Sequence, residues 1–446
     1  MSMPNRLYVL ALLFLLPFVA LAQAAAAEGE LLFRDVRVLD TVNGRLGPST
    51  DVLVRGNRIA AIGAAARPMS GAATVIEGRG RTLMPGLIDA HWHSTFTALS
   101  QADLLANAGD PAKLQAAVAA ESERTLLRGF TSVRDVGGPV FPLRDLIDAG
   151  KLRGPRIWPS GATISQTAGH GDMRQPHERS RRFFGKASMA EEVGATFIAD
   201  GRDEVLAAVR ENLRNGASQI KLMAGGGTSS AYDPVDVTQY TLDEMRAAVE
   251  AAEDWGTYVT VHAYTVRAVR RAIEAGVKCV EHGQMLDEAT LQLMAERGVW
   301  LSSQVLVAST DAMDPMRREK RKPVIEGQPR MWAMAKKAGV RLAWGTDFLF
   351  EPAQNAQQNQ SLLGLREWFT PAEILKMATH DNAELLALSG PRSPYPGRLG
   401  VVEEGALADL LLVDGDPLQD LELIVDPARN FAVIVKDGVV VRDEAR

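Results

Sequence analysis

The stretch Leu83-Met-Pro-Gly-Leu-Ile-Asp89-Ala-His91-Trp-His93 is an apolar run that ends in two histidines one residue apart. Strand side chains alternate between faces with a period of two, so His91 and His93 leave the end of one β-strand in the same direction. Two imidazoles side by side can hold one metal ion.

Short apolar segments recur downstream, at residues 130–134, 155–158, 219–223, 258–262, 278–282, 299–302 and 341–344, making eight with the first. Helical patterns separate them. Thr241-Leu-Asp-Glu244 is a capping box that opens a helix towards Trp255, and Thr370-Pro371 with Glu373 opens another. Regular alternation of strand and helix predicts a parallel sheet, and eight repeats predict a closed (β/α)8 TIM barrel with its active site at the C-terminal ends of the strands. Residues 94–126 and 169–200 read as long loops covering that mouth.

The two ends of the chain have another texture. Residues 31–39, 51–55 and 58–62, then 408–413 and 431–441, are short, β-branched and punctuated by Gly. They are expected to pair into one small β-sandwich composed of residues 29–81 and 395–446, with the barrel, residues 82–394, inserted between. Arg6 followed by the apolar residues 7–21 and by Ala20-Leu-Ala22 predicts a signal peptide over residues 1–22, hence a periplasmic or secreted protein with no membrane partner after cleavage. The apolar stretch is shorter than the ~20 residues of a spanning helix, and an uncleaved anchor is the alternative. Cys279 is the sole cysteine, so no disulfide forms within the chain. A net charge of -6 without long Lys/Arg runs argues against nucleic acid.

Four of the seven histidines, His91, His93, His262 and His282, end predicted strands, and Asp347 ends the eighth. Imidazole nitrogen and carboxylate oxygen suit Zn²⁺ or Mn²⁺, and five ligands exceed the need of one four-coordinate ion with an open position. The surplus points to two ions. Lys221, in Ile220-Lys-Leu-Met-Ala-Gly-Gly-Gly227, leaves two readings open. An ammonium has no lone pair for a metal. A carbamate formed with CO₂ could bridge two ions; alternatively the lysine pairs with an anion at the mouth.

Together, the Pro-Gly-Leu-Ile-Asp-Ala-His-Trp-His segment, Lys221, His262, Glu281-His282-Gly and Gly345-Thr-Asp347 resemble the amidohydrolase superfamily over essentially the whole mature chain. Gly405-Ala-Leu-Ala-Asp-Leu-Leu-Leu-Val413 resembles its C-terminal signature. The resemblance implies that His91, His93 and Asp347 bind the more buried of two divalent ions, expected to be Zn²⁺. His262 and His282 then bind the more exposed ion, and N6-carboxylated Lys221 bridges. It further implies attack by a bridging hydroxide on a carbonyl, with Asp347 acting first as base and then as acid.

The block around Lys221, the Gly169-His-Gly-Asp172 turn and Tyr232 are similar to the prolidase-like branch, which cleaves the amide before a C-terminal amino acid. Within it the chain resembles bacterial amidases that split ochratoxin A into ochratoxin alpha and phenylalanine. N-acyl amino acids or dipeptides are the small-molecule amide substrates this implies, with His170 and Tyr232 meeting the substrate carbonyl or carboxylate. A loop histidine and a packing tyrosine are the alternative for those two. Arg134 or Arg156 could meet a carboxylate; His177 and His380, the latter in a helix-start segment, read as structural, and Trp92 as core. The same centre could serve a lactone or a phosphotriester, or persist in a non-catalytic binding protein. Family members are often homo-oligomers, and one is expected here.

Overall fold

Eight parallel strands stand where the apolar segments predict them: Leu87–Trp92, Phe130–Asp135, Arg156–Pro159, Ile220–Met223, Val259–Thr265, Cys279–Met285, Trp300–Ser303 and Arg341–Trp344. The structure is a computed structural model that describes residues 29–69, 71–107, 110–309 and 313–445; residues 1–22, where a signal peptide is expected, lie outside the described residues. The first three strands form one ladder, and the last five form another, extended at its edge by the unanticipated short strands Thr163–Ser165 and Thr196–Ile198.

Both seams between the ladders are bridged. Ser218 N donates to Pro159 O at 2.7 Å on one side, and Asp347 N to His91 O at 2.8 Å on the other. At the second seam the Asn382 amide donates to Ile88 O (2.7 Å) and Trp344 O (2.8 Å) and accepts from Trp344 N (3.0 Å). Asn382 comes directly after a π-helical turn, Met377–Asp381, lying between Pro371–Lys376 and Asn382–Ala387. His380 therefore sits inside a helical run and does not begin one; the inserted residue of a π turn reorients the helical residues C-terminal to it.

Each strand divides its side chains. Ile220, Leu222, Val259, Val261, Val280 and Leu301 join one core with the surrounding helices. Lys221, Met223 and His262 face the cavity at the barrel mouth. Both expected capping boxes form, Thr241 with Glu244 and Thr370 with Glu373.

The terminal segments build one eight-stranded sheet in which Leu410–Val413 pairs antiparallel with Thr82–Pro85. It folds over a core containing Phe33, Val52, Leu83, Leu410, Leu412 and Val433. Alternation along these strands sends Met84, Leu411 and Val413 the other way, into the barrel core. The same two strands thus weld sandwich to barrel.

Residues 94–126 are not one mouth loop. They contain Gln101–Ala106 and most of the barrel helix Pro111–Leu127, whose N-terminus is capped by Asp110 accepting from Lys113 N at 3.0 Å. Aspartate at the cap and Pro111 in the first turn were readable start signals. Residues 169–200 carry the short helices Arg181–Phe184 and Met189–Glu192 and reach the mouth through His170 and Asp172 to Pro176. Among the described residues no helix is long and apolar enough to cross a membrane.

Candidate metal centre

His91, His93 and Asp347 each place one donor atom within 4.8 Å of the others. Asp347 Oδ1 lies 3.1 Å from His91 Nε2 and 3.2 Å from His93 Nε2. The approach of the first and eighth strands makes this possible: a Cβ at Gly345 would stand 2.3 Å from His91 N. Asp89 ties the same seam, accepting from His91 N (3.0 Å), from Thr346 N (3.1 Å) and from Thr346 Oγ1 (2.7 Å). His282 and His262 complete the group, with ring centroids 5.0 Å between His91 and His282 and 4.3 Å between His262 and His282.

Each imidazole has one nitrogen tied to a protein oxygen. His91 Nδ1 donates to Glu281 Oε2 at 2.8 Å, His93 Nδ1 to Gly137 O at 3.0 Å, His282 Nδ1 to Gln304 Oε1 at 2.7 Å, and His262 Nε2 to Gly226 O at 3.0 Å. A carboxylate or carbonyl only accepts, so those nitrogens carry protons, and the opposite nitrogens are the ones a metal would take. Metal-binding histidines are oriented in this way. Burial, reinforced by neighbouring cations, holds His262 and His282 well below the usual imidazole range, which keeps them neutral. Burial opposes ionisation of Asp347, but His91 and His93 outweigh it and hold the carboxyl well below its usual range.

Two donors adopt left-handed backbone, His282 at φ 79° and Asp347 at φ 54°. Non-glycine residues rarely do so, and such strain clusters at functional sites. At His282 it has a consequence for the strand: Glu281 and His282, though adjacent, both reach the ligand cluster. Strict alternation would have placed Glu281 on the opposite face, so sequence reasoning gave it no role. Gln304 was missed likewise, having no motif around it.

Lys221 is 1% exposed, and among the described residues nothing lies within hydrogen-bonding or ion-pairing distance of its amine. Burial pushes that amine below the usual lysine range. A buried amine without a partner is costly. The donor set therefore fits a divalent centre, and the lysine fits a group that would accept its conversion to an anion.

The cavity in front of these residues has a volume of about 330 Å³ and is walled by Phe96, Met173, Met223, Leu349 and Phe350 among others. His170 stacks on His262 at 4.0 Å between centroids, its Nδ1 is 2.8 Å from Ser230 Oγ, and burial pushes it down to about 4. A Cβ at Gly227 would fall 1.9 Å from the His170 ring, so the triple-glycine block leaves room for this histidine. Tyr232 lines the mouth, and its hydroxyl donates to Arg174 O at 2.6 Å.

Neither arginine weighed as a carboxylate reader meets the cavity. Arg134 is wholly buried on Glu281 (2.5 Å) and Ala90 O (2.6 Å), and Arg156 binds Asp409 (2.8 Å) and Asp437 (2.5 Å) against the sandwich. Arg174 does line it, pairing with Asp172 through Nε (2.7 Å) and Nη2 (2.5 Å). His177 is exposed, His380 pairs with Asp381 at 2.9 Å, and Trp92 packs with Val133 and Val140.

Comparison with known proteins agrees with this geometry. The chain is 32% identical over 356 residues to ochratoxinase of Aspergillus niger, covering 77% of this chain and 72% of that protein. A prolidase solved with N-methylphosphonate-L-proline aligns with a TM-score of 0.83 and 34% identity over 93% of this chain and all of the other. A Xaa-Pro dipeptidase with methionine in its active site aligns with a TM-score of 0.78 and 28% identity over 93% of this chain and all of the other. The model of the amidohydrolase family matches residues 82–442. With a barrel whose mouth gathers five histidines, Asp347 and a buried lysine, the chain belongs to the amidohydrolase family.

Proposed function

We propose that the protein is a binuclear metal-dependent amidase that cleaves N-acyl amino acids or dipeptides, with ochratoxin A among the substrates to test. One observation carries the reading: His91, His93, His262, His282, Asp347 and the partnerless amine of Lys221 converge on one cavity at the barrel mouth. His91, His93 and Asp347 would hold one ion, His262 and His282 a second, with carboxylated Lys221 between; Zn²⁺ suits these donors. Carbamate formation needs a neutral amine, which burial of Lys221 favours.

When bound, two such ions supply a water of lowered pKa and polarise the substrate carbonyl. Asp347 takes the proton of the attacking water and returns it to the leaving nitrogen. His170 Nδ1 lies 2.8 Å from Ser230 Oγ; with the serine as donor the His170 proton would sit on Nε2 and meet the carbonyl oxygen. Tyr232 offers its ring to the substrate while its hydroxyl fastens the 174 segment. Arg174, with Nη1 left over from its pairing with Asp172, faces the terminal carboxylate. The relatives support this class: one is an ochratoxinase, another a prolidase, another a Xaa-Pro dipeptidase. Export by the segment at residues 1–22 and assembly into a homo-oligomer belong to the same proposal.

The test is a hydrolysis screen of N-acyl amino acids, ochratoxin A and Xaa-Pro dipeptides on Zn²⁺-loaded protein, with a lactone and a phosphotriester alongside. Turnover of amides well above the esters supports the reading. Preference for the lactone or phosphotriester, or no hydrolysis of any substrate, overturns it.

A further inference from the structure

The four histidines of the cluster do not have equal partners. His93 and His262 donate to backbone carbonyls, and His282 donates to the neutral Gln304 amide at 2.7 Å. Among the four, His91 alone has a carboxylate, Glu281, on the nitrogen turned away from Asp347 and the cavity, at 2.8 Å. Gln304 Nε2 also lies 3.2 Å from His91 Nδ1. Since Glu281 can only accept, Nδ1 bears the proton, and that amide contact is proximity between two donors.

Glu281 is fully buried, and several groups donate to it. Arg134 donates to its Oε1 at 2.5 Å, Thr260 Oγ1 donates to the same oxygen, and Cys279 Sγ lies 3.4 Å away. Arg134 is itself fixed by Ala90 O (2.6 Å), Tyr258 (3.2 Å) and Ser302 (3.2 Å). A buried ion pair adds little to stability compared with apolar residues of the same volume. The barrel axis nevertheless holds one, aimed at a single imidazole.

We propose that Glu281 is a positioning residue that grades the two metal positions, making the His91, His93 and Asp347 position the tight one, while neutral Gln304 leaves the His262 and His282 position weaker and exchangeable. A carboxylate accepting from Nδ1–H makes Nε2 a stronger donor than an amide does, and it also fixes the ring. This rests on the binuclear reading above. Arg134 acts one step further back, holding the carboxylate as an acceptor.

The experiment is a Co²⁺ titration of chelator-stripped protein in bicarbonate buffer against a competing chelator, which reads two stepwise dissociation constants. The wild type is expected to show constants at least about 10-fold apart. Glu281→Gln weakens the tighter constant by about 10–100-fold, the range for outer partners of metal ligands, and leaves the other in place. Gln304→Glu tightens the weaker constant and narrows the gap. An unchanged tighter constant in Glu281→Gln, or equal weakening of both, overturns the proposal. His91→Asn separates the two readings: it must lose the tight step, and if it does not, the binuclear assignment itself fails. Should Glu281→Gln not fold, ring ¹⁵N shifts of metal-loaded wild type decide. A protonated Nδ1 on His91 supports the assignment, and a metal-bound Nδ1 refutes it.

Discussion

At the foot of the barrel Arg156 donates to Asp409 and Asp437, while along the axis Arg134 donates to Glu281. Both arginines are buried and both have short carboxylate contacts. The first pair ends there: Asp409 also accepts from Asp437 N at 2.6 Å, and the network joins the start of a barrel strand to the sandwich. The second pair continues through His91 to Asp347 and the cavity. Buried charge thus serves as a joint at one end and as the support of a reactive cluster at the other. What lies beyond the pair decides its use.

Substitutions at the two ends should separate activity from stability. Lys221→Ala, at the mouth, is expected to lose bound metal and reduce amide hydrolysis to background, with partial recovery on adding a short-chain carboxylic acid. A fully active variant would remove the bridging role. Asp347→Asn should lower kcat by about 10²–10⁴-fold, the range for a positioned acid–base group, with little change in thermal midpoint. Arg156→Met, at the foot, leaves Asp409 buried without its cation and should cost about 3–5 kcal/mol in denaturant unfolding. Its metal content and kcat/KM per folded molecule should stay at wild-type values; loss of either would blur the contrast.

Smaller effects concern the edges of the comparison. Burial pushes His170 down to about 4 from an ordinary 6.5. Between those values the unfolded chain binds the proton and the folded one does not, so stability falls as pH drops through this window. His170→Asn should flatten that part of a pH series of unfolding midpoints and lower turnover. Burial also pushes the Cys279 thiol up to about 12, so it should react with a thiol reagent only after unfolding.

Much of this was legible in the chain. Period-two alternation put His91 and His93 on one face, and the alternation of apolar segments with capped helices located all eight strands. Less legible were features that break a local rule or depend on distant residues. Residues 94–126 resemble a loop in composition although Asp110 and Pro111 mark a helix start within them. Glu281 escaped because the left-handed turn at His282 cancels the alternation that would have hidden it. Arg134 and Arg156 could not be told apart, since each follows a similar apolar strand pattern and only their partners differ.

The sequence by itself determined which side chains could bind a metal and which strands would carry them, because spacing along a strand or helix is local geometry. Tertiary structure alone decided which nitrogen of each histidine faces the centre, which lysine is buried without a partner and which arginine meets the cavity. Those depend on hydrogen bonds between distant segments, as between Thr346 and Asp89, 257 residues apart, and on burial that no single segment creates.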